Sequence, residues 1–353
     1  MFPQKSSELY RTPDDHKPPT DINLAGNLEY PNLNAADVRA QPENFSARLH
    51  DCWDSITIDE EKNCVVATNR RDGGQWWGMF FGYSEGNIDH MTVDNADFQR
   101  QEEHTVNIVR YAENNVLLAA LGNTKLQAWS TRPTPTVINA KKPFCLSMLD
   151  DADAHMAPIS HLSVFKADPQ KSVSASADGD MKLWTIAEAR LESFYHARVA
   201  HSDKFTGLAT PLSTPNQFVT CDRGGCVRLW DDQLLGDNHV YLGDIDGDVH
   251  IADIRVPRKL LQTTKYFEDA IVSQIVSNGA HLAVMSNLPA CVKIAKVDGT
   301  GKQAFIYTKE NIHQRQTDAI WTDPRTLITV GYGCRMVKHQ LEELGKSAGD
   351  CGE

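Results

Sequence analysis

No stretch of this chain reaches about 18 consecutive apolar residues, so none of it is expected to cross a membrane as a helix. The opening Met1-Phe2-Pro3-Gln4-Lys5 has no apolar core of the kind a secretory signal needs, and no such signal is expected. Positive charge is scarce. Against 47 Asp and Glu stand 35 Lys and Arg, a formal net charge of -12. That deficit argues against non-specific nucleic-acid binding, which needs a basic footprint. It suits a basic protein partner, and it equally suits plain solubility. Among the eight cysteines no two form a Cys-x-x-Cys pair. Cys64, Cys145, Cys221, Cys226, Cys291 and Cys334 lie in or beside expected strands, which fits reduced thiols in a cytoplasmic or nuclear protein. Catalytic signatures are absent too: there is no Gly-x-Ser-x-Gly elbow, P-loop, Gly-x-Gly-x-x-Gly fingerprint or His-Glu-x-x-His. No cofactor, no metal and no enzymatic activity are expected.

What the chain does have is one short motif, repeated. S-A-S-A-D-G-D-M-K-L-W ends at Trp184, T-C-D-R-G-G-C-V-R-L-W ends at Trp230, and A-A-L-G-N-T-K-L-Q-A-W ends at Trp129. Each reads as a small-residue strand, a turn, and a returning strand closed by an aromatic. Fainter copies put Phe81, Ala252, Ala295 and Lys338 at the tryptophan position. A repeat of roughly 40–45 residues with this ending marks the blades of a WD-repeat propeller. The seven copies predict an all-β, seven-bladed WD-repeat β-propeller, a fold that usually binds proteins.

Successive motif ends lie 43 to 55 residues apart, except for 22 between Trp230 and Ala252. Strands need about 5 residues each and turns about 2–5 more. The region near 232–240 therefore has no room for an outer strand, a connection and the next inner strand. Either the chain omits a segment there or blade five is incomplete. Omission is the preferred reading, because an unclosed ring exposes strand edges that invite aggregation.

The expected blades span roughly 52–92, 104–143, 156–197, 201–232, 238–267, 268–309 and 312–341. Residues 1–20, polar and carrying Pro3, Pro13, Pro18 and Pro19, read as a flexible arm. Part of 21–49 is expected to supply the outer strand of the last blade and so close the ring. Residues 342–353 read as a disordered acidic tail. In well-formed WD blades a turn Asp bonds to an upstream His. Asp178 and Asp246 occupy that position here, but blade four has Gly224 and Ala200 precedes His201, so the blades are expected to lean on apolar packing. Asp150-Asp151-Ala152-Asp153-Ala154-His155 reads as a solvated loop between blades two and three, since a calcium loop would need a turn Gly that it lacks.

One segment rises above the repeat: Asn69-Arg70-Arg71-Asp72-Gly73-Gly74-Gln75-Trp76-Trp77-Gly78-Met79-Phe80-Phe81. Alternation places Trp76 and Phe80 on one face and Trp77, Met79 and Phe81 on the other. Blades pack on both faces, so interior packing explains Phe80 and Phe81 readily. Trp76 and Trp77, at the loop–strand junction beside Arg70 and Arg71, read equally as interface anchors, because Trp and Arg are enriched at binding hot spots. The candidate partner-binding residues are Trp76, Trp77, Arg70, Arg71 and Phe80.

On this first blade, on Thr329-Val330-Gly331-Tyr332 with Met336-Val337-Lys338-His339, and on the order of strong and weak blades, the chain resembles the WD-repeat cofactors of the methylosome, their insect branch above all. The resemblance implies a non-catalytic scaffold bound to the N-terminal barrel domain of a type II protein-arginine methyltransferase, with four copies of each. It implies that a first-blade tryptophan enters that barrel, and Trp76 matches best, with Trp77 beside it. It further implies basic substrates, histones and Sm proteins, and a link to germ-plasm assembly through Tudor. A cytoplasmic and nuclear location is expected. The other reading is a substrate receptor of a cullin-type ubiquitin ligase, for which Asp253-Ile254-Arg255 supplies one Asp-x-Arg ending.

Overall fold

The computed structural model describes residues 52–341, apart from 73–74, 133–145, 188–189, 215–216, 231–238, 254–258, 288, 299–301, 311, 313–314 and 333. The expected arm, the closing segment 21–49 and the tail 342–353 lie outside the described residues. Within them, 25 strands form seven antiparallel sheets. Blade one holds β1 (Cys52–Ile58), β2 (Cys64–Asp72), β3 (Gln75–Tyr83) and β4 (Phe98–Glu102). Blade two holds β5 (Val106–Tyr111), β6 (Val116–Leu121), β7 (Lys125–Ser130) and β8 (Ser147–Asp153). Blade three holds β9 (Ile159–Val164), β10 (Lys171–Ser176), β11 (Met181–Ala187) and β12 (Arg190–Ala197). Blade four holds β13 (Phe205–Ala209), β14 (Phe218–Asp222) and β15 (Val227–Trp230). Blade five holds β16 (His239–Gly243), β17 (Asp248–Asp253) and β18 (Leu260–Lys265). Blade six holds β19 (Val272–Ser277), β20 (His281–Asn287), β21 (Ala290–Val297) and β22 (Gln303–Lys309). Blade seven holds β23 (Gln316–Asp323), β24 (Thr326–Gly331) and β25 (Arg335–Gln340). The expected seven-bladed propeller is thus present.

Second strands are short, apolar and small-residue rich because they are covered on both faces. β6 (Val-Leu-Leu-Ala-Ala-Leu) and β24 are buried along their whole length. Apolar clusters join successive blades. Phe80 and Trp129 link blades one and two, and Ile159, Trp184 and Leu118 link two and three. Phe165 and Phe218 link three and four, Val249 and Leu282 link five and six, and Met285 and Leu327 link six and seven. Trp53 and Ile328 join blade seven back to blade one.

That last seam is also polar. Buried Asp318 on β23 accepts from the Ser55 hydroxyl at 2.8 Å, the Ile56 amide at 3.1 Å, Arg110 at 3.0 Å and Gln274 at 2.9 Å. One carboxylate therefore ties the inner strands of blades six, seven, one and two. Burial pushes its pKa up, but Arg110 and the hydrogen bonds outweigh burial and hold it below the usual carboxylate range.

Two expectations are corrected. The acidic run Asp150–Asp153 ends a strand, β8, the outer strand of blade two. An acidic strand is stable there because its carboxylates have partners: Asp151 pairs with Lys125 at 2.7 Å, and Asp150 accepts from the Leu191 amide at 2.8 Å. Blades three and four also keep their polar sets. In blade four Trp230 donates to Thr220 at 2.8 Å, Thr220 meets His201 at 2.7 Å, and His201 meets Asp222 at 2.8 Å. The acid has moved two residues ahead of Gly224, which is why the motif looked incomplete. In blade three Trp184 bonds Ser174, Ser174 bonds His155, and Asp178 lies 3.5 Å from that imidazole.

These buried imidazoles predict a pH response. Burial lowers His155 and His339 to about 4. The unfolded chain takes up protons at both below its ordinary value near 6.5, whereas the folded chain does so only near 4. Stability is full above that window and is lost as pH falls through it. Asp54, raised by burial to about 6, opposes the trend but is a single group. The urea midpoint is expected to fall between pH 7 and pH 4.5; a flat or rising midpoint would contradict the assignment.

Candidate partner-docking site

β2 and β3 pair along all nine residues, from Cys64 opposite Tyr83 to Asp72 opposite Gln75. Among the described residues, their neighbours stop earlier: β1 pairs with β2 as far as Asn69, and β4 pairs with β3 from Gly78. Among those residues, Arg70, Arg71, Asp72, Gln75, Trp76 and Trp77 therefore pair across the hairpin alone. Two strands alone are marginal in water, so the base must be fixed. Asn69 fixes it: its amide donates to Asp54 at 2.8 Å and to the Val106 carbonyl at 3.0 Å, and its side-chain oxygen accepts from the Val106 amide at 2.8 Å. Gly78 completes the base. A Cβ there would lie 2.3 Å from the His104 carbonyl oxygen, so only glycine lets blade two close against the hairpin.

The sequence-derived candidates divide. Trp76 is 49% exposed and Trp77 half-buried. Arg70 is exposed, opposite Trp77, and Arg71 is opposite Trp76 in the register. These four positions fall at the hairpin end. Phe80 does not join them: it is fully buried, 5.5 Å from the Trp129 ring, in the packing between blades one and two. Its place on the Trp76 face stands, but four residues further along the strand that face is covered by blade two, so Phe80 is part of the packing under the hairpin and is not offered at its end. Sequence reading passed over the clamp by Asn69 because its partner is 37 residues away. The one local signal was an Asn where the strand leaves its neighbours.

Among the described residues one group could offer ligand atoms to a metal, His201, Asp222 and Cys226, within 4.8 Å of one another. His201 is already bonded to both Asp222 and Thr220 in the blade-four set, and Asp222 also accepts from the Cys226 amide, which accounts for their positions. Of the Asp253-Ile254-Arg255 ending, buried Asp253 closes β17, and Ile254 and Arg255 lie outside the described residues. No helix among the described residues is long and apolar enough to cross a membrane.

No family model matches the sequence. Three solved structures share the fold. Sqt1 from Chaetomium thermophilum matches with a TM-score of 0.61 at 12% identity, over 85% of this chain and 83% of that one. Sqt1 bound to the N-terminus of ribosomal protein L10 matches at 0.60 and 12%, over 81% and 84%. A chain of the mitotic checkpoint complex matches at 0.62 and 14%, over 82% and 89%. In sequence, the chain is 53% identical over 371 residues to Protein valois of Drosophila melanogaster, covering 97% of this chain and 100% of that protein. The chain belongs to the Valois family, the one that its first and last blades resemble.

Proposed function

We propose that this protein is a non-catalytic scaffold that docks on a type II protein-arginine methyltransferase through the blade-one hairpin. The observation that carries the reading is a half-exposed indole, Trp76, at the end of a hairpin that, among the described residues, extends beyond both neighbouring strands. A large apolar ring left in water on a fixed support is poised to gain from desolvation, the property of a hot-spot residue. Arg70 and Arg71, on the facing strand, would pair with carboxylates of the enzyme around the buried ring. Four copies of each chain would assemble, as the family resemblance implies.

The rest of the propeller would hold basic, arginine-rich chains such as histones and Sm proteins near the enzyme, an arrangement that suits a net charge of -12. Tudor and a cytoplasmic and nuclear distribution complete the proposal. Affinity purification of the tagged full chain, with mass spectrometry, tests it. Stoichiometric recovery of an arginine methyltransferase is expected; recovery of a cullin-ligase adaptor in its place would overturn it.

A further inference from the structure

The turn from β16 to β17 in blade five is held by a dense set of bonds. Asp244 builds it: one carboxylate oxygen accepts from the Asp246 amide at 2.9 Å and the Asp248 amide at 2.8 Å, and the other meets the His250 Nε2 at 2.8 Å. The connection from β18 to β19 closes over it. The Gly247 carbonyl accepts from the Tyr266 amide at 3.0 Å and the Phe267 amide at 3.1 Å, and the Asp244 carbonyl accepts from the Val272 amide at 3.0 Å. Gly247 has a φ of 88°, and a Cβ there would lie 2.2 Å from the Phe267 carbonyl oxygen, so glycine alone permits this closure. The bond between Asp244 and Val272 makes Ile245 and Ile271 backbone neighbours, each one residue away from it.

Both isoleucines face water: Ile245 is 74% exposed and Ile271 57%. The turn does not call for an isoleucine. The Asp244 amide donates to the Asp248 carbonyl, and the same backbone bond closes the turns of blades three and four, from Ser176 to Asp180 and from Asp222 to Cys226. There Ala177 and Arg223, both exposed, hold the position of Ile245. Single apolar residues on a surface are ordinary. Two together on a frame already fixed can be covered by a partner at little cost in ordering. Beside Ile245 lies a cavity of about 440 Å³ lined by Asp246, Asp248, Lys265, Glu268, Asp269 and Ala270. Lys265 is engaged within it, donating to the Asp246 carbonyl at 2.9 Å and lying 3.4 Å from the Asp248 carboxylate. No ion pair among the described residues engages the carboxylates of Asp246, Glu268 or Asp269, and all three residues are exposed.

We propose that this surface is the docking site of an extended basic segment of a protein, in which an apolar side chain lies against Ile245 and Ile271 and a neighbouring Lys or Arg enters the acidic cavity. Charge complementarity argues the occupant. The three carboxylates attract and orient a cationic chain, and the isoleucines hold it once water is expelled. The turn equivalence makes β16 and β17 the second and third strands of their blade, as β2 and β3 are of blade one. The surface therefore lies at the same end of the propeller as the Trp76 hairpin, and a chain bound there is held on the side from which the hairpin reaches the enzyme. The inference rests on the reading that the propeller holds basic chains for a methyltransferase, and it assigns that role to named residues.

The test is fluorescence anisotropy of the full chain with a labelled synthetic peptide in which leucines alternate with arginines. The parent chain is expected to bind it. Ile245→Ser combined with Ile271→Ser is expected to weaken binding by roughly 10- to 30-fold. Asp246→Asn, Glu268→Gln and Asp269→Asn together are expected to weaken it and to flatten its salt dependence. All five positions are exposed, so the melting temperatures should stay near that of the parent. A peptide with serine in place of leucine is expected to bind more weakly. No enzyme enters this assay. Trp76→Ala should therefore bind the peptide as the parent does while losing the methyltransferase, and the isoleucine variant should do the reverse, so that failure of either reading is seen apart from the other. The proposal is overturned if the parent chain does not bind the peptide, if either set of substitutions leaves binding unchanged, or if the leucine-free peptide binds as tightly.

Discussion

Trp76→Ala is expected to weaken binding to a type II protein-arginine methyltransferase by about 30- to 1,000-fold, the loss of about 2–4 kcal/mol that a buried indole anchor contributes. The same change should leave the fold intact. Trp76 is half-exposed at the hairpin end, and the apolar clusters of the propeller are built without it. Substitutions of that kind usually stay within about 0.5 kcal/mol of the parent. Trp77→Ala separates the two indoles. Its ring is half-buried on the opposite face, so it is expected to cost more in melting temperature and less in affinity than Trp76→Ala. Binding by surface plasmon resonance and melting by calorimetry, on the same preparations, check both. Unchanged affinity of the Trp76 variant would remove that residue from the interface.

The second large effect lies at the seam between blades seven and one. Asp318→Ala deletes the acceptor shared by Ser55, the Ile56 amide, Arg110 and Gln274. It leaves a guanidinium without its counter-ion and several donors without acceptors where water has little access. Removing one member of a buried ion pair costs about 3–5 kcal/mol, which should lower the melting temperature by roughly 10 °C. Asp318→Leu combined with Arg110→Met should be milder than Asp318→Ala, because the orphaned charge goes with its partner. A double variant as unstable as the single one would mean that the seam rests on the neutral donors instead. Because the partners of Asp318, namely Ser55, Ile56, Arg110 and Gln274, lie outside the hairpin, loss of binding without loss of melting temperature distinguishes Trp76 variants from seam variants.

Much of this architecture is local, and local features are legible. The turn glycines at 179, 225 and 247 each stand five residues before a motif end, Trp184, Trp230 and Ala252, so blade count and phase could be read from residue spacing alone. The short interval before Ala252 falls at 231–238, outside the described residues. The hairpin's aromatic end was visible as Trp76-Trp77 beside Arg70-Arg71. What stayed hidden is non-local. Asp318 and Ser55 are 263 residues apart, and nothing near either announces that ring closure brings them to 2.8 Å. The Asn69 clamp crosses from one blade to the next. The acidic run at 150–153 misled for a related reason: a rim strand faces solvent, so its sequence looks like a loop, and only Lys125 and Leu191 on other strands show what holds it. Phe80 misled because alternation gives the face of a strand but not how far along it the cover extends.

The blade-one hairpin is the part of the molecule proposed to meet the enzyme. Photo-crosslinking tests this most directly, with benzoylphenylalanine placed at position 76 and, in a separate chain, at position 194 on the exposed rim of blade three. In the purified complex, the probe at 76 is predicted to attach to the methyltransferase within its N-terminal barrel domain, and the probe at 194 is not. Attachment from 194 with none from 76 would contradict the account.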